Sequence, residues 1–291
     1  MQIALHAGAH ATDEDRLITC LRRNHARMAR SGVGVPPPSS YRKLLRDILN
    51  TAQGSGLAAD ARDMVLDAIG DTGGMDRLLL SNQGFFGTQK MAVSGSVLYP
   101  AAEARLGLLQ QVFAGDQIEL FLGLRNPAMF LPALLEGTSF ATVEALLRDG
   151  DPEELRWSHL LERIRNTFPD MPVTVWCNED TPLIWGQILR EMTGTGTSVQ
   201  IEGEHALLSE IMTRPGFERF EAYLAKRPDL TRTQTQRVIA AFLDKYADEE
   251  AIEVELDVPG WTAGIIDRLT EIYDADLEVL RRQDGVRVIA P

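Results

Sequence analysis

The sequence predicts a three-layer α/β fold, with a mostly parallel central sheet, helices on both of its faces, and a helical C-terminal part. Three observations carry this. Four apolar runs, at residues 2–6, 77–81, 118–124 and 173–177, are short and read as buried strands. Segments of helical periodicity lie between them, and that alternation is the pattern of a parallel sheet covered on both sides. Each run opens into a polar or glycine-containing loop, which is where an α/β sheet places its ligands.

Taken in order, QIALH is the first strand and residues 7–12 are its loop. Thr12 is placed to cap a helix, with Asp13, Glu14 and Asp15 in its first turn, where carboxylates favour the helix dipole. That helix is expected to reach about Arg30, with Leu17, Ile18, Leu21 and Met28 as its apolar stripe, until the run Ser31-Gly32-Val33-Gly34 stops it. Two helices follow, near 40–51 and 58–69. The strand RLLLS opens into NQGFFGTQKMAVSGS, a polar segment that reads as a functional loop. Pro100 starts a helix to Phe113, IELFLGL is the third strand, and Arg125-Asn126-Pro127 leads into another helix. The fourth strand ends at Cys177, and a helix begins near Leu183. From Glu204 onward the pattern is almost entirely helical, with 260–282 the longest piece.

The 291 residues suffice for one large domain, read here as a single unit with an α/β core at 1–203 and a helical part at 204–291. The chain is acidic, with 42 acids against 29 bases and a net charge of −13. That balance argues against nucleic-acid binding, which needs a basic footprint. The densest basic stretch, Arg22, Arg23, Arg27 and Arg30 with His25, reads as a solvated helix face. Cys20 and Cys177 stand alone in apolar contexts, so they are expected to be buried, reduced thiols. The N-terminus lacks the basic and long apolar segments of a signal peptide, and no apolar run approaches the roughly 18 residues of a membrane span. A cytoplasmic location is the expectation.

The first loop carries the most chemistry. A strand, a short glycine-containing loop and a helix is the order of a phosphate cradle, which needs free backbone N–H groups, glycines, and usually a Lys and hydroxyls. The segment His6, Gly8, His10, Thr12, followed by Leu21, Asn24 and Gly32-Val33, resembles the start of bacterial nucleotide-dependent sulfotransferases, which commonly read His-x-Gly-x-His-Lys-Thr-Gly-Thr-Thr. The departures fall at the centre of that motif. Ala11 takes the lysine position, Asp13 a glycine position, and Glu14 and Asp15 the two threonine positions. Each like-charge contact with a phosphate at 4 Å would cost about 1 kcal/mol in water and about 4 kcal/mol at a surface dielectric.

A second part of the resemblance lies at IELFLGLRNPAMFLPALL. Arg125 matches the family's arginine for the donor's 3′-phosphate, and Phe130-Leu131 the pair that follows it, whereas Ala133 replaces the family's serine. Without a ligand, Arg125 would instead cap the sheet edge or pair with an acid such as Glu136. The stretches Tyr99-Pro100-Ala101-Ala102-Glu103 and Tyr273-Asp274-Ala275-Asp276-Leu277-Glu278-Val279-Leu280 extend the likeness. It implies a P-loop NTPase-like sulfotransferase fold, the donor 3′-phosphoadenosine 5′-phosphosulfate, no metal, and a small-molecule, glycan or protein acceptor.

Three further groups complete the candidates. Glu179 and Asp180, after the fourth strand, are placed to act as a general base, or as an Asp/Thr cap for the next helix. His10 is a catalytic as well as a donor-binding candidate, together with Gly8, Thr12 and Arg125, and Lys90 could supply charge missing at Ala11. His6 and His10 beside Asp13, Glu14 and Asp15 offer metal-ligand chemistry. The readings are thus a sulfotransferase-like protein with a degenerate donor site acting as a binding protein, an active sulfotransferase with atypical donor binding, and a metal-dependent enzyme using the acidic loop.

Overall fold

Strand alternation divides the core in two. The computed structural model describes residues 1–70, 72–148, 150–196, 199–252 and 258–291. Its strands are β1 (Gln2–His6), β2 (Val33–Gly34), β3 (Arg77–Ser81), β4 (Val93–Ser94), β5 (Val97–Leu98), β6 (Gln117–Leu124), β7 (Val173–Cys177) and β8 (Val286–Ile289). Six form one parallel sheet in the order β2-β3-β1-β6-β7-β8, and β4 and β5 form a small antiparallel hairpin. The four expected strands are its inner part.

The helices are α1 (Arg16–Arg23), α2 (His25–Ala29), α3 (Pro38–Ser55), α4 (Ala61–Ile69), α5 (Ala102–Val112), α6 (Pro127–Glu136), α7 (Val143–Leu147), α8 (Trp157–Thr167), α9 (Thr181–Thr193), α10 (Ala206–Ile211), α11 (Arg214–Ala225), α12 (Arg232–Tyr246), α13 (Glu249–Ile252) and α14 (Ala263–Leu280). Ile3, Leu5, Leu78, Leu80, Leu120 and Leu122 point to one face, where α3, α4, α5, α6, α8 and α14 pack. Ala4, Leu79, Phe121 and Trp176 point to the other, against α1, α2 and α9. This is the three-layer arrangement that a period-2 strand with both faces buried demands. Leu208, Met212, Phe220 and Ile239 form a smaller cluster among α10, α11 and α12.

Two details differ from expectation. The C-terminal part is largely helical, but it ends in a strand not expected from the sequence, where β8 pairs with β7 and closes one edge of the sheet. The helix expected from Thr12 to Arg30 starts at Arg16 and breaks at Asn24. The Asn24 side chain explains the break. Its amide donates to the Glu202 carbonyl at 2.8 Å, and its oxygen accepts from the Glu202 N–H at 2.8 Å, so it serves a distant segment.

β1 is followed by α1 on one face, while its neighbours β3 and β6 lead to α5 and α6 on the other. The carboxyl end of β1 is therefore a topological switch point on both sides, the place where open α/β sheets form crevices.

Candidate functional site

The crevice between β1 and β6 is filled by the chain itself. Beyond β1 the backbone keeps pairing with β6. Ala7 N–H donates to Phe121 O at 3.0 Å, Ala9 N–H to Gly123 O at 2.8 Å, and Gly123 N–H to Gly8 O at 2.5 Å. His10 N–H donates to the Tyr99 hydroxyl at 2.9 Å. The amides of residues 7, 9 and 10 are therefore engaged.

Thr12 does not cap α1. Its hydroxyl donates to Ala9 O at 2.7 Å and tightens the loop instead. The three acids lie ahead of the helix, not in its first turn, with Glu14 and Asp15 in the left-handed region at φ 48° and 64°. Asp13 takes over the helix start, accepting from Arg16 N–H through its carbonyl at 2.8 Å and from Leu17 N–H through its carboxylate at 3.3 Å. Asp15 is held away by a two-pronged pair with Arg42, at 2.7 and 2.6 Å. That fork-on-fork geometry is the strong form of an ion pair.

Arg125, half-buried at the end of β6, turns onto this loop. Its Nη1 donates to the Ala11 carbonyl. Burial lowers its pKa, while Glu179, Glu14 and Glu136 pull it back up. Its backbone carbonyl accepts from the Trp157 indole at 2.9 Å.

Glu179 is likewise committed, although the residue lies at the exposed rim. One carboxylate oxygen accepts from Asn126 N–H at 2.8 Å and the other from the Tyr273 hydroxyl at 3.2 Å. Desolvation raises its pKa, and these donors oppose the rise. Asp180 occupies the cap position of α9 without a side-chain cap bond, so the expected Asp/Thr cap is not made. Burial raises its pKa, and Arg281 opposes this.

The two histidines point to different partners. His6 shares a hydrogen bond with the Ser81 hydroxyl at 2.9 Å and stacks on Trp176, and burial lowers its pKa. His10 Nδ1 meets the same Tyr99 hydroxyl at 2.9 Å, and burial pushes its pKa down to about 4. The single Tyr99 hydroxyl thus serves both the backbone N–H and the Nδ1 of His10, which leaves Nε2 as the other ring nitrogen. Among the described residues, no group of three or more His, Cys, Asp and Glu is placed to hold a metal ion.

Lys90 lies elsewhere, donating to the Ser139 hydroxyl at 3.1 Å on the surface. Phe85 and Phe86, in the same loop, are fully buried core residues. Cys20 and Cys177 are buried and free. Sequence reasoning missed Tyr99 as the organiser of His10 and Arg42 as the partner of Asp15. An arginine on an apolar helix, in SSYRKLLRDIL, is a weak signal that only the pairing makes meaningful.

Comparison of the chain with protein-family models, with curated proteins and with solved structures gives no match.

Proposed function

We propose that this chain is a sulfotransferase-like protein whose donor-phosphate site is degenerate, and that it works by binding rather than by sulfuryl transfer. The observation that carries the reading is the Arg125 guanidinium seated on the Ala11 carbonyl. The one residue matching a donor ligand is thereby directed at the loop that should receive the donor. The first loop supports the same view, since its amides at 7, 9 and 10 meet Phe121, Gly123 and Tyr99 and no lysine stands at Ala11. The residues present do not fit 3′-phosphoadenosine 5′-phosphosulfate in its usual pose, so no transfer step is derived through it.

Calorimetry with 3′-phosphoadenosine 5′-phosphate tests the reading. No binding at micromolar concentrations is expected, and Arg125→Ala should lower stability by about 1–2 kcal/mol, the cost of leaving a half-buried carbonyl without its donor. Micromolar binding that disappears in Arg125→Ala would instead establish donor binding through that residue.

A further inference from the structure

The opposite side of β1 carries a second crevice with different chemistry. A cavity of about 640 Å³ opens where α3 faces the loop after β3. Its walls include Arg42, Lys43 and Arg46 from α3, Arg105 from α5, Asn82 from the β3 loop, and His10 from the β1 loop. Among the described residues, no aspartate or glutamate lines it. In a chain of net charge −13 this is a local reversal of sign, and a low-dielectric cleft of one sign concentrates ions of the other.

The arginines differ in how they are compensated. Arg42 is matched by Asp15, and Asp47 is shared between Lys43 at 2.6 Å and Arg46 at 3.4 Å. Arg105 is 5% exposed and has no carboxylate partner among the described residues. Its Nε donates to the Phe85 carbonyl at 2.9 Å, and its two terminal nitrogens meet only Asn50 Oδ1, both at 3.4 Å. Four cations thus face two carboxylates, with the deepest cation unmatched. A buried charge without a counter-charge is costly, and burial accordingly pulls the Arg105 pKa down. An anion in the cavity removes that cost.

We propose that this cavity binds a small organic oxyanion, one phosphate, sulfate ester or carboxylate group on a compact carrier, with Arg105 at the anion. The guanidinium fork suits two oxygens of such a group. His10 Nε2 is the ring nitrogen left to an occupant, because Nδ1 is engaged by Tyr99. The volume exceeds what a bare inorganic ion fills and so leaves room for the carrier. The site shares His10 with the first loop, but the proposal does not depend on the sulfotransferase-like reading.

Phenyl phosphate, phenyl sulfate and benzoate, titrated calorimetrically into the full chain at low salt, test this. At least one should bind with a Kd below about 1 mM and weaken as salt screens the cavity. Arg105→Gln should weaken it at least tenfold. Arg46→Gln, a surface change that leaves the core intact, should weaken it by about threefold. Lys90→Ala should leave it unchanged. The anion preferred among the three fixes the ligand class. Absence of binding by all three, an unchanged Kd in both arginine variants, or an equal loss in Lys90→Ala overturns the proposal. Because this test uses neither the nucleotide nor Arg125, its outcome is independent of the donor-site test.

Discussion

Between β1 and β6, Arg125 donates to a backbone carbonyl, Glu179 holds an amide and a tyrosine, and the loop backbone pairs with the neighbouring strand. Between β1 and β3, the same sheet edge leaves a cavity lined by four cations, in which buried Arg105 has no carboxylate partner among the described residues. In the first crevice Arg125, Glu179 and the amides of residues 7, 9 and 10 are engaged within the chain, so a ligand that uses them must break bonds before making any. The second holds a charge without a carboxylate partner among the described residues, so a ligand there gains a counter-charge interaction and displaces at most the long contacts to Asn50. An arginine's presence at a strand end therefore says less about binding than the state of its donors.

The two sides meet at two junctions, Tyr99–His10 and Asp15–Arg42, and changes there separate them. The largest effect concerns His10. Its folded pKa is about 4 against an ordinary value of 6.5. As pH falls from 6.5 the unfolded chain takes up a proton that the folded chain refuses, so stability drops through that window and levels off below about 4. The full loss is about 3 kcal/mol, read as a falling urea midpoint between pH 7 and pH 4. Burial depresses His6 and His205 in the same direction, so His10→Asn should flatten the slope without abolishing it. An unchanged slope would show that the His10 side is not dry.

Tyr99→Phe ranks next. It removes the single hydroxyl that serves both His10 N–H and His10 Nδ1 and should cost about 2 kcal/mol by urea denaturation at pH 7. A cost near zero would mean that the loop rearranges and that its closed form is weakly held.

Asp15→Asn has the smallest effect on stability, below about 1 kcal/mol because the pair is partly solvated. Its value lies in sharpening the contrast. Freed from Asp15, Arg42 adds a positive charge to the cavity, and the affinity for the preferred phenyl anion should rise about threefold at low salt and converge with the parent chain at high salt. A fall in affinity would mean that Asp15 is needed to aim Arg42.

The inner strands were legible because each is a short apolar run with both faces buried, a pattern that depends on neighbouring residues alone. β8 was not, since VRVI alternates in burial at the sheet edge and follows a helix that dominates the local pattern. The acids at 13–15 were legible as a departure from a phosphate loop, but their role was misread. Capping preference places them in a first turn, whereas Arg42, 27 positions from Asp15, draws that carboxylate out and leaves Asp13 to begin the helix. Arg125 was legible as a strand-end arginine, and its direction was not, because that depends on where the Ala11 carbonyl lies.

By itself the sequence determined a layered parallel α/β arrangement with loops gathered at one edge, because periodicity and strand length are local and the hydrophobic effect acts on them directly. It also determined the acidic balance and the absence of a lysine at Ala11. Only the tertiary structure decided which charges are matched. Arg105 lies 55 residues from Asn50 and 20 from Phe85, and whether it meets a carboxylate is fixed by how α5 packs against α3 and the β3 loop. Charge compensation is a property of distance and burial in three dimensions, so one arginine, Arg125, is a closed clasp on one side of β1 and another, Arg105, lacks a carboxylate partner among the described residues on the other.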